Sequence, residues 1–245
     1  MNRAPGWLRI RAAWSAIAAT IAVAATAVAA SAALAGEAAT PLDRYLDGLK
    51  SLQTDFAQQV LDAKGTEVEA GSGRLLISRP GKFRWQYAPR STATTASATA
   101  PAAATGGATG AAQLLVADGR NLWFYDSELM QVTVKPMTAA LGATPVALLS
   151  GTAGDLRSAF AVDTESAHDG LEWVRVKPRS AESDFQQAEL GFRAGELASM
   201  IIEDKLGQHA TLQFVHSQRN ARLAAGEFEF KPPPGTDVIG VPQAP

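Results

Sequence analysis

The chain has three histidines, His168, His209 and His216, and no cysteine. Histidine and cysteine carry much of nucleophilic, acid–base and metal chemistry, so their scarcity narrows the options at once. A thiol nucleophile and a thiolate-bound metal are both excluded. His168 stands beside Asp169-Gly170, a turn signal. His209 and His216 fall at opposite ends of one predicted strand, about 20 Å apart by strand rise. No H-E-x-x-H, G-x-S-x-G, phosphate-loop or dinucleotide fingerprint occurs. Asp118 and Asp126 flank an aromatic run, and Asp118-Gly119 is sufficiently explained as turn chemistry. The expectation is a protein that is not an enzyme and needs no metal or cofactor.

What remains is apolar binding beside a single well-placed cation. Residues 71–87 read GSGRLLISRPGKFRWQY. Two strands meet at Arg79-Pro80-Gly81, a turn set by proline and glycine. Phe83, Trp85 and Tyr87 alternate with Lys82, Arg84 and Gln86, which puts three aromatics on one strand face. Arg79 sits at the rim of that wall. The pattern suits either an ordinary hairpin whose aromatics are core or a greasy cavity with a lid that Arg79 can hold.

The remaining elements must build that cavity. Thr40 is a suitable N-cap and Pro41 a suitable first helical residue, with Asp43 three residues after the cap. Leu42, Tyr45, Leu46, Leu49, Leu52, Phe56 and Val60 recur at three- and four-residue spacing, which predicts a helix over 41–61, stopped by Gly65. Beyond Glu69 the texture is strand: 70–78, 82–88, 113–118, 121–126, 130–135, 158–163, 171–177, 185–192, 197–204, 210–217 and 226–230. Asp118-Gly119, Asp169-Gly170 and Ala194-Gly195 punctuate the succession. About eleven strands without βαβ alternation predict an antiparallel sheet that curls into an incomplete β-barrel. Residues 91–112 lack large apolar or charged side chains and read as a mobile loop. Within 136–157, Thr144-Pro145 opens a short helix through Val146, Ala147, Leu148 and Leu149 that Gly151 stops. The fold class is therefore mainly β, with a few helices lidding an apolar cavity.

Several strands have no polar face. Leu114-Leu115-Val116, Leu122-Trp123-Phe124-Tyr125 and Met200-Ile201-Ile202 are apolar on both sides of the alternation. Such strands are buried twice. Either they meet further packing, or they present a surface to an apolar guest.

The first 35 residues form a separate segment. Arg3, Arg9 and Arg11 precede an alanine-rich apolar run from Ala12 to Leu34, and Ala33-Leu34-Ala35 is an A-x-A cleavage site. Residues 1–35 read as a cleaved signal peptide and 36–245 as one domain. Loss of three arginines leaves 19 basic against 24 acidic side chains, which argues against nucleic acid as a partner. The absence of cysteine also excludes a lipid anchor on an N-terminal cysteine, so the expectation is an exported monomer free in solution.

Taken together, these stretches resemble the periplasmic outer-membrane lipoprotein carriers of Gram-negative bacteria, the LolA family. The resemblance rests on Phe56-Ala57-Gln58-Gln59-Val60, Arg79-Pro80-Gly81-Lys82-Phe83-Arg84-Trp85 and Leu115-Val116-Ala117-Asp118-Gly119. It continues through Leu122-Trp123-Phe124-Tyr125-Asp126, Gln131-Val132-Thr133-Val134, Thr144-Pro145 with Leu148-Leu149, and Phe228-Glu229-Phe230-Lys231-Pro232-Pro233. The loop 91–112 is longer than the family's usual turn.

The resemblance implies a half-barrel whose cavity takes lipoprotein acyl chains, Arg79 as the arginine that bonds the lid, and Phe83 at the mouth. Leu46, Leu149 and Ser150 are the candidate latch partners. Phe83, Trp85, Leu76, Leu114, Val116, Trp123, Tyr125, Leu148 and Met200 are the candidate acyl-chain contacts. The implied partners are outer-membrane-directed lipoproteins, an ABC-type releasing complex in the inner membrane and an outer-membrane receptor. Two other readings share the fold or the guest: a periplasmic lipid- or lipoprotein-sensing regulator, and a lipid hydrolase.

The signal segment gives a direct test. Protein recovered from the periplasm should begin at Gly36 on N-terminal sequencing. An intact Met1 form that pellets with membranes would contradict export and cleavage.

Overall fold

The computed structural model describes residues 39–89, 112–137, 145–181, 183 and 185–243. The signal segment 1–35 with its Ala33-Leu34-Ala35 site, nearly all of the 91–112 loop, and Thr144 lie outside the described residues. Helix α1 (Pro41–Leu46) is followed by β1 (Ser51–Leu61), β2 (Glu67–Ser78), β3 (Lys82–Pro89), β4 (Gln113–Asp118), β5 (Asn121–Asp126) and β6 (Gln131–Pro136). Helices α2 (Pro145–Ser150) and α3 (Ala153–Ala159) interrupt the strands. Then come β7 (Phe160–Thr164), β8 (Glu172–Pro178), β9 (Phe185–Arg193), β10 (Glu196–Asp204), β11 (His209–Arg219), a single 3-10 turn (Ala225–Phe228) and β12 (Asp237–Ile239).

The strands form one sheet in the order β12-β6-β5-β4-β3-β2-β1-β11-β10-β9-β8-β7. Every pairing is antiparallel except β12 with β6. Among the described residues β12 and β7 are edges that do not meet, so the barrel is incomplete. Tight turns set the register. Asp169-Gly170 and Ala194-Gly195 have positive φ at both positions, as a two-residue hairpin turn requires.

The first half of the expected helix over 41–61 is present and the second half is not. Thr40 caps α1 through the Asp43 N–H, and Asp43 returns a bond to the Thr40 N–H. Gly48, at φ 67, then turns the chain into β1. In β1, Leu52, Thr54, Phe56 and Val60 are buried while Gln53, Asp55, Ala57 and Gln59 are not. A four-residue spacing of Leu52, Phe56 and Val60 satisfies a helix face and a strand face equally. Pairing with β2 and β11 on both sides decides for the strand.

The stretch 226–230 is not a strand either. Its 3-10 turn lies over β3 and β4, and the twelfth strand is 237–239.

The two faces of the sheet carry different loads. The inner face holds Leu52, Phe56, Leu75, Ile77, Phe83, Tyr87, Ala117, Leu122, Leu190, Phe192, Met200, Leu212 and Phe214 in one continuous apolar cluster. Leu42, Tyr45 and Leu46 of α1, Leu148 and Leu149 of α2, and Leu156 of α3 complete it from above. The Phe56 ring stacks at 4.3 Å on Trp85 and passes over Gly73, where a Cβ would collide with the Gln86 carbonyl and the ring itself. The outer face of β4–β6 holds a second cluster of Leu114, Val116, Tyr125 and Val132, joined by Trp123 and Phe230.

Candidate functional site

The Arg79 side chain stands where α1 and α2 converge over the inner face. α1 packs on β8, with Tyr45 against Phe192 of β9 at 5.5 Å, while α2 packs on β2 and β3. The helices thus sit on different halves of the sheet, and Arg79 lies between their C-terminal ends. Its Nη1 donates to the Leu46 carbonyl at 2.7 Å and to the Leu49 carbonyl at 3.2 Å. Its Nε and Nη2 donate to the Gly151 carbonyl at 3.1 and 2.7 Å. The adjoining Gly81 N–H donates to the Ser150 carbonyl at 2.8 Å.

Helix C-termini leave carbonyls without intrahelical partners, and a planar guanidinium with five donors can serve several at once. Burial pulls the Arg79 pKa below the ordinary arginine value, yet the group stays charged. Of the expected latch partners, Leu46 meets the guanidinium directly. Ser150 meets the backbone of the same turn, and Leu149 is a fully buried core residue. Leu49 and Gly151, which accept from the guanidinium, were not anticipated. Both lie just past helix ends, and side-chain spacing does not say which backbone carbonyls are left to accept.

The structure divides the candidate acyl-chain residues. Phe83, Trp85, Leu148 and Met200 belong to or pack on the inner cluster. Leu114, Val116, Trp123 and Tyr125 belong to the outer cluster. Leu76 pairs with Arg84 on that outer face, opposite to Leu75 and Ile77. The second side of β4 and β5 is closed by the chain's own C-terminal segment. Phe230 approaches Trp123 at 5.7 Å and Tyr125 at 5.9 Å. Arg84, itself buried, donates to the Glu227 carbonyl at 3.3 Å.

The histidines are scattered. His168 pairs with Asp169 at 3.0 Å, His216 with Asp55 at 3.4 Å, and His209 lies at the start of β11.

A family model described as "Outer membrane lipoprotein carrier protein LolA" matches residues 47–94 and 108–231, which include the Arg79 turn, the aromatic wall and α2–α3. The chain belongs to that family. Outer-membrane lipoprotein carrier proteins of Dechloromonas aromatica and Chromobacterium violaceum are 34% and 36% identical to it over 203 and 202 residues. These cover 83% and 82% of this chain and 88% and 87% of theirs. A solved LolA superfamily protein from Nitrosomonas europaea aligns with 15% identity and a TM-score of 0.41, over 78% of this chain and 96% of that one.

Within this LolA-family chain, α1 and α3 share one device. Thr40 with Asp43, and Thr152 with Asp155, form reciprocal capping boxes. Burial opposes the ionisation of Asp43. The bonds from the Thr40 backbone and hydroxyl and the nearby Arg157 outweigh it, so its pKa lies below the ordinary value. Asp155 is lowered by the Thr152 hydroxyl and N–H, against slight burial. A carboxyl whose pKa is depressed by folding contributes stability that is complete above its unfolded pKa and lost as pH falls through the folded one.

Acidification from neutrality toward pH 2 should therefore loosen the helices over the inner face before the sheet. Hydrogen-exchange protection, corrected for intrinsic rates, should fall first at the amides of 43–46 and 155–159 while β9 and β10 hold. Loss of sheet protection first would contradict this.

Proposed function

We propose that the chain is a periplasmic carrier that holds lipoprotein acyl chains between its inner sheet face and the helices α1–α3, and that Arg79 latches the empty state. What supports the reading is membership of the lipoprotein carrier family together with one arrangement. A continuous apolar face lies under three short helices, and a single arginine joins two of those helices.

The physical need for such a carrier is plain. Exposing one acyl chain of ~15 methylenes to water costs about 12 kcal/mol at ~0.8 per CH₂. Unaided crossing of an aqueous compartment is negligible, so a carrier must shield the chains. It must also release them. Mixed packing by Leu, Met and aromatic side chains suits both demands, because such surfaces repack around different chain positions.

In the closed arrangement the interior is filled by the protein's own side chains: Phe83, Leu148, Leu149 and Met200 are essentially buried. Cargo therefore enters only when part of this helical cover is displaced. That step breaks the Arg79 bonds, and release restores them. The latch thus biases the cycle toward delivery.

On this reading the protein acts without catalysis. It receives lipoproteins from an ABC-type complex in the inner membrane and passes them to an outer-membrane receptor, after its own export and cleavage near Ala35. The energy for extraction comes from the donor complex.

Charge-assisted hydrogen bonds are worth about 1.5–3 kcal/mol each. Losing one raises the open population by roughly 10- to 100-fold. Arg79→Leu should fold, accept a lipidated protein and hand it over slowly, measured as transfer from purified loaded carrier to receptor. Lys82→Leu, an exposed neighbour, should transfer at the native rate. Native-rate transfer by Arg79→Leu would remove the latch from the cycle.

A further inference from the structure

The fastenings on the two sides of Arg79 differ in kind. On the α1 side, the end of β11 reaches under the helix. Arg219, paired with Leu52 of β1, lays its guanidinium 4.9 Å from the centre of the Tyr45 ring. Its Nη2 donates to the Tyr45 carbonyl at 2.8 Å and the Asp47 carbonyl at 3.2 Å. Its Nη1 lies 3.6 Å from a Glu196 carboxylate oxygen.

Asn220, at φ 57, follows directly. Its Oδ1 accepts from the N–H groups of Lys50 at 2.7 Å and Ser51 at 3.4 Å, and its Nδ2 donates to the Gly48 carbonyl at 3.2 Å. The Ser51 hydroxyl adds a bond to the Ala221 carbonyl at 2.6 Å. Arg44 pairs with Glu172 of β8 at 3.1 Å. Residues 45–51 are therefore tied to the end of β11 and the residues just after it, while the exposed Arg44–Glu172 pair adds little.

On the α2–α3 side, the described contacts at the junction of the two helices are the Gly81–Ser150 backbone bond and the Arg79 bonds to Gly151. Near its root, Arg157 meets Asp43 at 2.9 Å, an exposed pair of the kind that contributes little, and Arg179 meets the Arg157 carbonyl at 3.3 Å. There α3 runs straight into β7.

We infer that the lid is two bodies: α1 is a fixed post, α2–α3 is the moving leaf, and Arg219 and Asn220 are positioning residues that hold the Leu46 and Leu49 carbonyls where Arg79 can grip them. The logic is one of shared carbonyls. Arg219 takes Tyr45 and Asp47, Asn220 takes Gly48, and Arg79 takes Leu46 and Leu49, so three side chains divide the end of one short helix between them. Two of the three, Arg219 at the end of β11 and Asn220 directly after it, bond to the α1 side. Breaking the Arg79 bonds removes its grip on α2–α3 and leaves α1 in place. Breaking the Arg219 or Asn220 bonds loosens the post, and Arg79 loses its hold although its own side chain is intact. The inference rests on the carrier reading for its purpose, but its test uses the empty protein and stands apart from any cargo.

The chain has no cysteine, so introduced pairs are its only thiols. Ala57, exposed on the outer side of β1, serves as the common reference. Ala57→Cys with Asp47→Cys reports on the post, and Ala57→Cys with Gly154→Cys, in the first turn of α3 beside Gly151, reports on the leaf. Both partner positions are exposed. Spin labels on the mature protein give the distance distributions.

Arg79→Gln should add a longer component to the leaf pair, raising its open population roughly tenfold or more, and leave the post pair native. Arg219→Gln should broaden both pairs. Asn220→Gly keeps the positive φ while removing three side-chain bonds, and should broaden the post pair even if Arg219→Gln folds poorly. Arg219→Lys, which keeps a cation beside Tyr45 but loses the fork, should fall between native and Gln. If Arg79→Gln displaces the post as much as the leaf, the lid is one body and the inference fails. It also fails if Asn220→Gly leaves the post pair native.

Discussion

One guanidinium meets three carbonyls from two helices that rest on opposite halves of the sheet. Each of those helices has only six residues, too few to be stable on its own, so each exists because its apolar side rests on the inner face. Short helices end in unpaired carbonyls, and those ends converge on the place where β2 turns into β3. Arg79 sits in that turn. Its cost is the burial of a charge. The return is four hydrogen bonds that neither helix could satisfy internally. Such a contact is all-or-none in geometry, because the planar fork cannot follow one helix away without leaving the other. In the proposed cycle this gives the apolar interior two states, where a continuously yielding lid would give many.

The rest of the fold serves that choice by giving the two faces of the sheet separate tasks. The inner face is kept for the helices and, in the proposed cycle, for acyl chains. The outer face of β4–β6 is equally apolar, and the 3-10 turn with Phe230 covers it. Without that cover, Trp123 and Tyr125 would offer a second greasy surface to the same cargo. In the proposed cycle the strap thus leaves an apolar guest one side of the sheet.

Much of this was legible in the chain, and the gaps have physical causes. The hairpin around Arg79-Pro80-Gly81 was readable because proline, glycine and sharp alternation all agree. The α1 start was readable from Thr40, Pro41 and Asp43. The β1 strand was not, because Leu52, Phe56 and Val60 fit period 3.6 as well as period 2. Thr54, buried and β-branched between them, was the signal that favoured the strand. The faces of β4 and β5 were not readable either. Alternation sorts residues into two sets but does not say which set is inside, and the deciding partner, Phe230, is far along the chain. Arg219 and Asn220 were invisible for the same reason: their meaning comes from carbonyls more than 160 positions earlier.

The central claim is that acyl chains occupy the inner face and only the inner face. Lipopeptide bearing a photoreactive group on its acyl chain, bound to the carrier and irradiated, reads this by the position of its adducts. The account predicts adducts on residues such as Leu75, Phe83, Trp85, Leu148 and Met200. Adducts concentrated on Leu76, Leu114, Val116, Trp123 and Tyr125 would contradict it.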